Sequence, residues 1–151
     1  MLSLEVESPE AQEALGAALA AACPASCVIY LEGQLGAGKT TLVRGFICGL
    51  GHQGAVKSPT YTLLEPYDLP NGLCYHFDLY RLADPGELEY LGVRDLLQGE
   101  AILLVEWPER GQGELPGADL ILHIHYRPDG RHIELESLTD KGEQLVTEVA
   151  G

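Results

Sequence analysis

The sequence predicts an α/β fold, with helices covering a mainly parallel central sheet that has antiparallel hairpin additions. Two apolar runs, at residues 28–31 and 101–105, are too short for helices and are typical of buried parallel strands. Helix and strand patterns interleave along the chain, and two turn signals favour local hairpins. The chain has 151 residues and no evident linker or repeat, so we expect residues 1–151 to form a single domain.

The first third of the chain alternates between strand and helix patterns. Residues 2–6 alternate apolar and polar side chains, which indicates a strand with one buried face. Ser8 can cap a helix and Pro9 fits its first turn, so a helix should begin there and end near residues 23–24. The next elements are the strand at 28–31, a glycine-rich segment at 33–38, and a helix from about 39 to 50 that Gly51 stops.

The remainder of the chain begins with a predicted hairpin. Residues 60–67 and 73–77 are extended runs on either side of Asn71-Gly72, a strong hairpin turn signal. The sequence Asp84-Pro85-Gly86-Glu87 resembles a capping box at the start of a helix. The further predictions are a helix break at Gly92 with resumption to about Gln98, strands at 101–105, 120–126 and 133–135, a turn at Asp129-Gly130, and a helix after 138.

Charge and cysteine usage limit the class of protein. Nine Lys and Arg against 23 Asp and Glu give a net charge of −14, too acidic for strong direct nucleic-acid binding. Any nucleic acid should therefore be reached through a partner protein. The N-terminus lacks a signal-peptide pattern, and no apolar run approaches the ~20 residues of a membrane span. We expect a cytoplasmic protein without membrane contact, whose four cysteines are reduced thiols.

The strongest functional signal is the segment Gly33-Gln34-Leu35-Gly36-Ala37-Gly38-Lys39-Thr40. It fits the Walker A pattern G-x-x-x-x-G-K-[ST] between a predicted strand and a predicted helix. Glycines allow the backbone to approach phosphates, the amides and helix N-terminus bind them, Lys39 adds a charge, and Thr40 offers a hydroxyl to Mg²⁺. The pattern predicts a three-layer P-loop NTPase fold and a single P-loop ATPase domain over 1–151. The candidate nucleotide-binding residues of this segment are Gly33, Leu35, Gly36, Ala37, Gly38, Lys39, Thr40 and Thr41.

A magnesium nucleotide site also needs an acid, and two acids end apolar strands. Glu106 follows the run 102–105, and Asp78 follows 74–77. Ligands gather at the carboxyl edge of parallel sheets, so either acid is a candidate to hold Mg²⁺ or to orient water. His76 has two open roles, and we favour a structural hydrogen bond with Asp78 over general acid–base catalysis.

The choice of nucleotide and of reaction class rests on motifs that are missing. Guanine-reading proteins carry Asn-Lys-x-Asp, and this chain has only one asparagine, Asn71, so ATP is favoured over GTP. A P-loop small-molecule kinase is the alternative to an ATPase that acts as a switch. Such kinases usually carry an arginine-rich lid, whereas the six arginines here are scattered. A nucleotide-binding scaffold without turnover is a third class.

The chain resembles the bacterial TsaE family, formerly called YjeE. Beyond the Walker A segment, the similarity is carried by blocks at residues 51–54, 56–63, 76–82 and 105–109. It covers residues 3–137. Members of this family are small P-loop ATPases required for threonylcarbamoyladenosine at position 37 of tRNA. They bind the TsaD–TsaB pair and support its repeated cycles without making the threonylcarbamoyl group themselves.

The resemblance implies roles for particular positions. Thr40 and Glu106 match the magnesium ligands, and Asp78 matches an acid needed for ATP hydrolysis, with Lys39 at the phosphates. Trp107 matches a tryptophan beside the nucleotide, and Arg131 matches a basic residue that contacts it. Ser58-Pro59-Thr60 matches a segment compared with the switch I loop of GTPases.

Overall fold

The structure is a computed structural model that describes residues 1–34, 37–57, 59, 61–96 and 99–150. Within these residues, seven strands form one sheet in the order β1-β7-β6-β2-β5-β4-β3. The strands are Leu2–Val6 (β1), Cys27–Gly33 (β2), Leu64–Leu69 (β3), Gly72–Asp78 (β4), Ile102–Glu106 (β5), Leu120–Arg127 (β6) and Gly130–Ser137 (β7).

The centre of the sheet is parallel and its edges are antiparallel. Strand β2 pairs in parallel with both β5 and β6, and β4 pairs in parallel with β5. The hairpins β3–β4 and β6–β7 are antiparallel, and β1 also pairs with β7 in the antiparallel direction. The α/β fold class predicted from the sequence is therefore confirmed.

Helices lie on both faces of the sheet, which gives three layers. Strand β5 shows this directly, because Ile102 and Leu104 belong to one buried cluster and Leu103 and Val105 to another. Alternate residues of a strand point to opposite faces, so the two clusters are on opposite sides. The helices are Pro9–Ala22 (α1), Lys39–Gly49 (α2), Glu87–Tyr90 (α3), Val93–Leu96 (α4) and Asp140–Ala150 (α5). The first cluster includes residues of α1, α2 and α5, and the second includes residues of α3 and α4.

Helices α1 and α2 touch through their backbones. A Cβ atom on Gly16 would lie 2.2 Å from the carbonyl oxygen of Leu42, and one on Gly45 would lie 2.0 Å from that of Glu13. Only glycine fits these two positions at this helix separation. The contact fixes α2, and with it the loop that precedes α2, against the N-terminal helix.

The predicted capping is confirmed for α1, whereas α3 begins at Glu87 with Gly86 as its N-cap, although the side-chain hydrogen bonds expected around Asp84 and Glu87 form. The Ser8 hydroxyl accepts a hydrogen bond from the Ala11 amide at 3.1 Å, and Pro9 is the first residue of α1. The Glu87 carboxylate accepts hydrogen bonds from the amides of Ala83 and Asp84 at 3.0 and 3.2 Å. The predicted break at Gly92 is confirmed, since φ is +70° there and α4 begins at the next residue. The predicted end near Gln98 lies outside the described residues.

The first hairpin differs from the prediction at both ends. Strand β3 begins at Leu64 and not at residue 60, because Leu63 has a left-handed φ of +69° and its amide donates to the Pro59 carbonyl at 2.7 Å. Thr60 itself lies outside the described residues. The two-residue turn is Pro70-Asn71, one residue earlier than predicted, and Gly72 is the first residue of β4.

All four cysteines, Cys23, Cys27, Cys48 and Cys74, are free thiols. In the described part of the chain, no helix combines the length and the apolar character needed to cross a membrane.

Candidate functional site

The glycine-rich loop leaves the middle of the sheet. It connects the end of β2 at Gly33 with the start of α2 at Lys39. Gly38 has a left-handed φ of +94° at the helix N-cap, and a Cβ on Gly33 would lie 2.7 Å from the Ile124 carbonyl oxygen. Both positions therefore require glycine, as the Walker A pattern predicts. Leu35 and Gly36, two of the predicted nucleotide contacts, lie outside the described residues.

A pocket of about 540 Å³ opens at the N-terminal end of α2. It brings together nine of the predicted site residues. Gly33 is not among its lining residues, but its carbonyl oxygen accepts a hydrogen bond from Lys39. The lining residues are Pro9, Gln12, Gln34, Ala37, Gly38, Lys39, Thr40, Thr41, Asp78, Tyr80, Arg81, Glu106, Trp107 and Arg131.

Lys39 is only 6% exposed, although it carries a charge. Its Nζ donates hydrogen bonds to the carbonyl oxygens of Gly33 and Gln34, the latter at 3.3 Å. Nζ also lies 3.9 Å from the centroid of the Trp107 ring, a cation–π contact. Burial lowers the pKa of this ammonium, and the nearby carboxylates of Glu106 and Asp78 oppose that shift. The cation is thus held inside the pocket by the loop and by an aromatic face.

Two buried carboxylates stand side by side at the carboxyl edge of the sheet. Asp78 ends β4 and Glu106 ends β5, and the two residues are paired in the sheet register. They are 6% and 2% exposed. The Asp78 carboxylate accepts a hydrogen bond from the Tyr80 amide at 3.1 Å. The structure therefore places both predicted acids in the same pocket as Lys39.

His76 has a different partner from the one that the sequence favoured. Its Nε2 lies 2.7 Å from Oε2 of Glu106, and not beside Asp78. The interpretation of a pair with Asp78 is wrong because the register places Glu106 on the neighbouring strand within reach of His76. His76 and Asp78 are two residues apart on one strand, so their side chains share a face of the sheet. A side chain can equally contact a residue on the adjacent strand, as His76 does with Glu106.

Trp107 has an unusual backbone conformation at the rim of the pocket. Its φ is +59°, in the left-handed region that few bulky residues adopt. The indole lies 5.1 Å from the Tyr80 ring, measured between centroids. Such strain persists where the surrounding structure enforces it, often at functional sites. The strained turn brings the indole against the Lys39 ammonium, and Trp107 lines the pocket.

Gln12 was not predicted from the sequence. It lies on α1, is buried, and donates from Nε2 to the carbonyl oxygens of Ala37 and Gly38 at 3.2 and 2.9 Å. Arg131, on β7, donates from Nε to the same Ala37 oxygen at 3.0 Å and lines the pocket. These donors fix the positions of the two loop carbonyls at the pocket. A polar residue on the buried face of a helix is the signal that could have pointed to Gln12.

The predicted switch segment is only partly described. Ser58 and Thr60 lie outside the described residues, and Pro59 is buried. Tyr61 is exposed, with the Arg81 guanidinium 4.6 Å from its ring centroid.

The side chains of the pocket fit a magnesium ion that is held together with an anionic ligand. Thr40, Asp78 and Glu106 supply hydroxyl and carboxylate oxygens, the donors that Mg²⁺ prefers. Among the described residues, no group of three or more His, Cys, Asp or Glu is placed to hold a metal ion alone. Magnesium usually binds through one or two carboxylates and substrate phosphates, so this donor set suits it.

A parallel sheet with a strand, a glycine-rich loop and a helix at its centre defines the class of P-loop NTPase folds. The solved structure of YdiB from Bacillus subtilis has the same overall fold as the present chain. The two superpose with a TM-score of 0.84 at 31% identity, over 99% of this chain and 93% of the other.

The sequence comparisons identify the family within this class. The family described as "Threonylcarbamoyl adenosine biosynthesis protein TsaE" matches residues 6–133. A tRNA threonylcarbamoyladenosine biosynthesis protein TsaE from Haemophilus influenzae is 55% identical over 120 residues, covering 80% of this chain and 76% of its own. The protein of that name from Bacillus subtilis is 36% identical over 144 residues, covering 95% and 90%. The chain belongs to the TsaE family.

Proposed function

We propose that this protein binds and hydrolyses Mg-ATP in the cytoplasm, as part of threonylcarbamoyladenosine formation at position 37 of tRNA. In this proposal it acts as a nucleotide-dependent switch on a complex of TsaD and TsaB. The names of its relatives refer to that tRNA modification. One observation carries the nucleotide-binding part, namely the concentration of positive charge in the pocket. Lys39, Arg81 and Arg131 line it, three of only nine cations in a chain of net charge −14.

In this proposal, some pocket residues bind the phosphates and others hold the metal ion and the attacking water. Amides at the N-terminus of α2 and the Lys39 ammonium bind the phosphates, and the phosphate oxygens replace the loop carbonyls as partners of Lys39. Thr40 and Glu106 would hold Mg²⁺, which when bound offsets the negative charge that develops between the β- and γ-phosphates. Asp78 positions the attacking water or a water of the metal shell. Trp107 supplies an aromatic wall beside Lys39.

The proposal that partner proteins bring this protein to tRNA follows from its negative net charge. A protein with 23 acidic and 9 basic residues repels a phosphate backbone, so tRNA is reached through other proteins. TsaD and TsaB are the proteins that the family resemblance implies.

Calorimetry with ATP in the presence and absence of Mg²⁺ tests nucleotide binding. Lys39→Ala should lose ATP uptake, because it removes the ammonium buried in the pocket. Lys141→Ala on α5 is the matched control, since that lysine is exposed and does not line the pocket. Wild-type protein that takes up no ATP with or without Mg²⁺ would refute the proposal.

Phosphate release, measured alone and with TsaD and TsaB added, tests the reaction. Asp78→Asn should keep ATP binding and lose turnover, whereas an equal loss of both would refute the division of roles. Transfer of phosphate to a nucleoside or metabolite would favour a small-molecule kinase. Binding without any turnover in a single-turnover assay with the partners present would favour a scaffold.

A further inference from the structure

The histidine–glutamate pair at the back of the pocket is almost completely buried. His76 is 0% exposed and Glu106 is 2% exposed, and their hydrogen bond of 2.7 Å joins Nε2 to Oε2. Glu106 lines the pocket, whereas His76 does not. The carboxylate therefore stands between the pocket and a buried imidazole.

We propose that His76 is a positioning residue whose Nε2–H bond to Glu106 fixes the carboxylate plane, so that the other carboxylate oxygen is presented to the divalent cation in the pocket. The inference rests on the proposed Mg-ATP function and extends it to a residue that touches neither nucleotide nor metal.

The sheet register explains how one bond can fix this carboxylate. His76 pairs with Leu104 on β5, and the next pair on that face is Asp78 with Glu106. The imidazole thus lies one pair behind the two acids, on the same face, and reaches forward to Glu106. The terminal torsion of a glutamate side chain is broad and roughly two-fold, so a carboxylate without a fixed donor samples many orientations. A donor at 2.7 Å selects one of them.

The unpaired ring nitrogen argues against a packing role for His76. Among the described residues, Nδ1 has no hydrogen-bond partner although it is buried. An unpaired buried polar atom lowers stability, so an aromatic hydrocarbon ring would fill the same space at less cost. The bond to Glu106 is the polar contact that the imidazole makes here, and it offsets that cost. Partners of this kind orient metal ligands in many sites.

The test compares wild type with His76→Phe, which fills the space but cannot donate, and with His76→Gln, which keeps a donor near the position of Nε2. Cys74→Ala is the control for a change at a buried position of the same strand face. For each protein, ATP affinity is measured by calorimetry in EDTA and over a series of Mg²⁺ concentrations. Thermal unfolding confirms that each variant is folded.

We expect the gain in ATP affinity that Mg²⁺ provides to fall about 10- to 100-fold in His76→Phe, the usual effect of losing such a partner. ATP affinity in EDTA should stay within about twofold of wild type, because His76 does not line the pocket. His76→Gln should retain most of the gain, and Cys74→Ala all of it. In a Glu106→Gln background, His76→Phe should have no further effect, because it acts through Glu106.

Any of three results would overturn the role of His76. One is a full magnesium gain in His76→Phe, and another is a loss of equal size in His76→Gln. Additive losses in the Glu106→Gln background would also overturn it, since the two residues would then act separately. A wild-type protein that binds no ATP overturns the proposed function instead, so the two failures are distinct.

Discussion

Replacing Gln12 with methionine removes two hydrogen bonds from the pocket loop and little else. Methionine has a similar length and a similar helix propensity, so α1 should keep its packing and its helical structure. The lost bonds are those from Nε2 to the carbonyl oxygens of Ala37 and Gly38.

The size of the stability loss depends on which hydrogen bonds each carbonyl oxygen retains. The Ala37 oxygen still accepts from Nε of Arg131 at 3.0 Å, and the Gly38 oxygen still accepts from the Leu42 amide at 3.1 Å. Neither carbonyl is left without a donor, so the full penalty of a buried unsatisfied group does not apply. Two bonds at about 0.5–1.5 kcal/mol each lower the free energy of unfolding by roughly 1–3 kcal/mol. In a chain of this size the melting temperature falls by roughly 2–12 °C.

Urea unfolding followed by circular dichroism measures this change. Gln144→Met is the matched control, because Gln144 is an exposed residue on α5 whose side chain donates to Glu148 one turn along the same helix. ATP affinity should also fall in Gln12→Met, since the loop carbonyls lose their orientation. If Gln12→Met and Gln144→Met have the same free energy of unfolding within about 0.5 kcal/mol, the reasoning is refuted.

Three further predictions concern the indole, the helix contact and alkaline pH. ATP binding should change the fluorescence of Trp107, the one tryptophan of the chain, because the indole contacts Lys39; an unchanged spectrum at saturation contradicts this. Gly45→Ala should lower the free energy of unfolding in urea by about 1–3 kcal/mol or more, because its Cβ would lie 2.0 Å from the Glu13 oxygen. Gly49→Ala, with 3.0 Å to the Ala20 Cβ, should lose less, and an equal loss would count against the close approach. Burial raises the pKa of the Cys74 thiol from 9.0 to about 12. The unfolded chain therefore loses this proton first, and above pH 9 the free energy of unfolding should fall by about 1.4 kcal/mol per pH unit from this group. Unfolding in urea at several pH values should show a shallower slope for Cys74→Ala, and an identical slope would disprove the assignment.

Most elements of the fold follow from local sequence. The run that forms β2 is too short and too apolar for anything but a buried strand, and Ser8 and Gly92 mark helix boundaries through capping and a left-handed φ. The failure at the start of β3 has a physical cause. Leu63 adopts a left-handed φ that sequence preferences disfavour for leucine, and it does so because its amide bonds to the Pro59 carbonyl.

The candidate site was predictable where chain order alone decides position. Asp78 and Glu106 meet because both end parallel strands, and parallel strands share a carboxyl edge. The partners of these groups were not predictable. Glu106 rather than Asp78 bonds His76 because of the strand register, and Gln12 reaches the loop because of the contact between α1 and α2. Neither the register nor that helix contact is encoded within a few residues of the side chains concerned.

The place of β2 in the sheet affects the order in which the chain can fold during translation. The two strands that pair with it, β5 and β6, begin at Ile102 and Leu120. Both are therefore synthesised long after Gly33, the last residue of β2. At ~5–20 residues per second, the nascent strand waits on the order of 5 to 20 s for both. Until then its backbone amides and carbonyls lack the two strands with which they pair in the folded sheet. Nucleotide added before β6 has been synthesised should therefore not protect the preceding part of the chain from proteolysis.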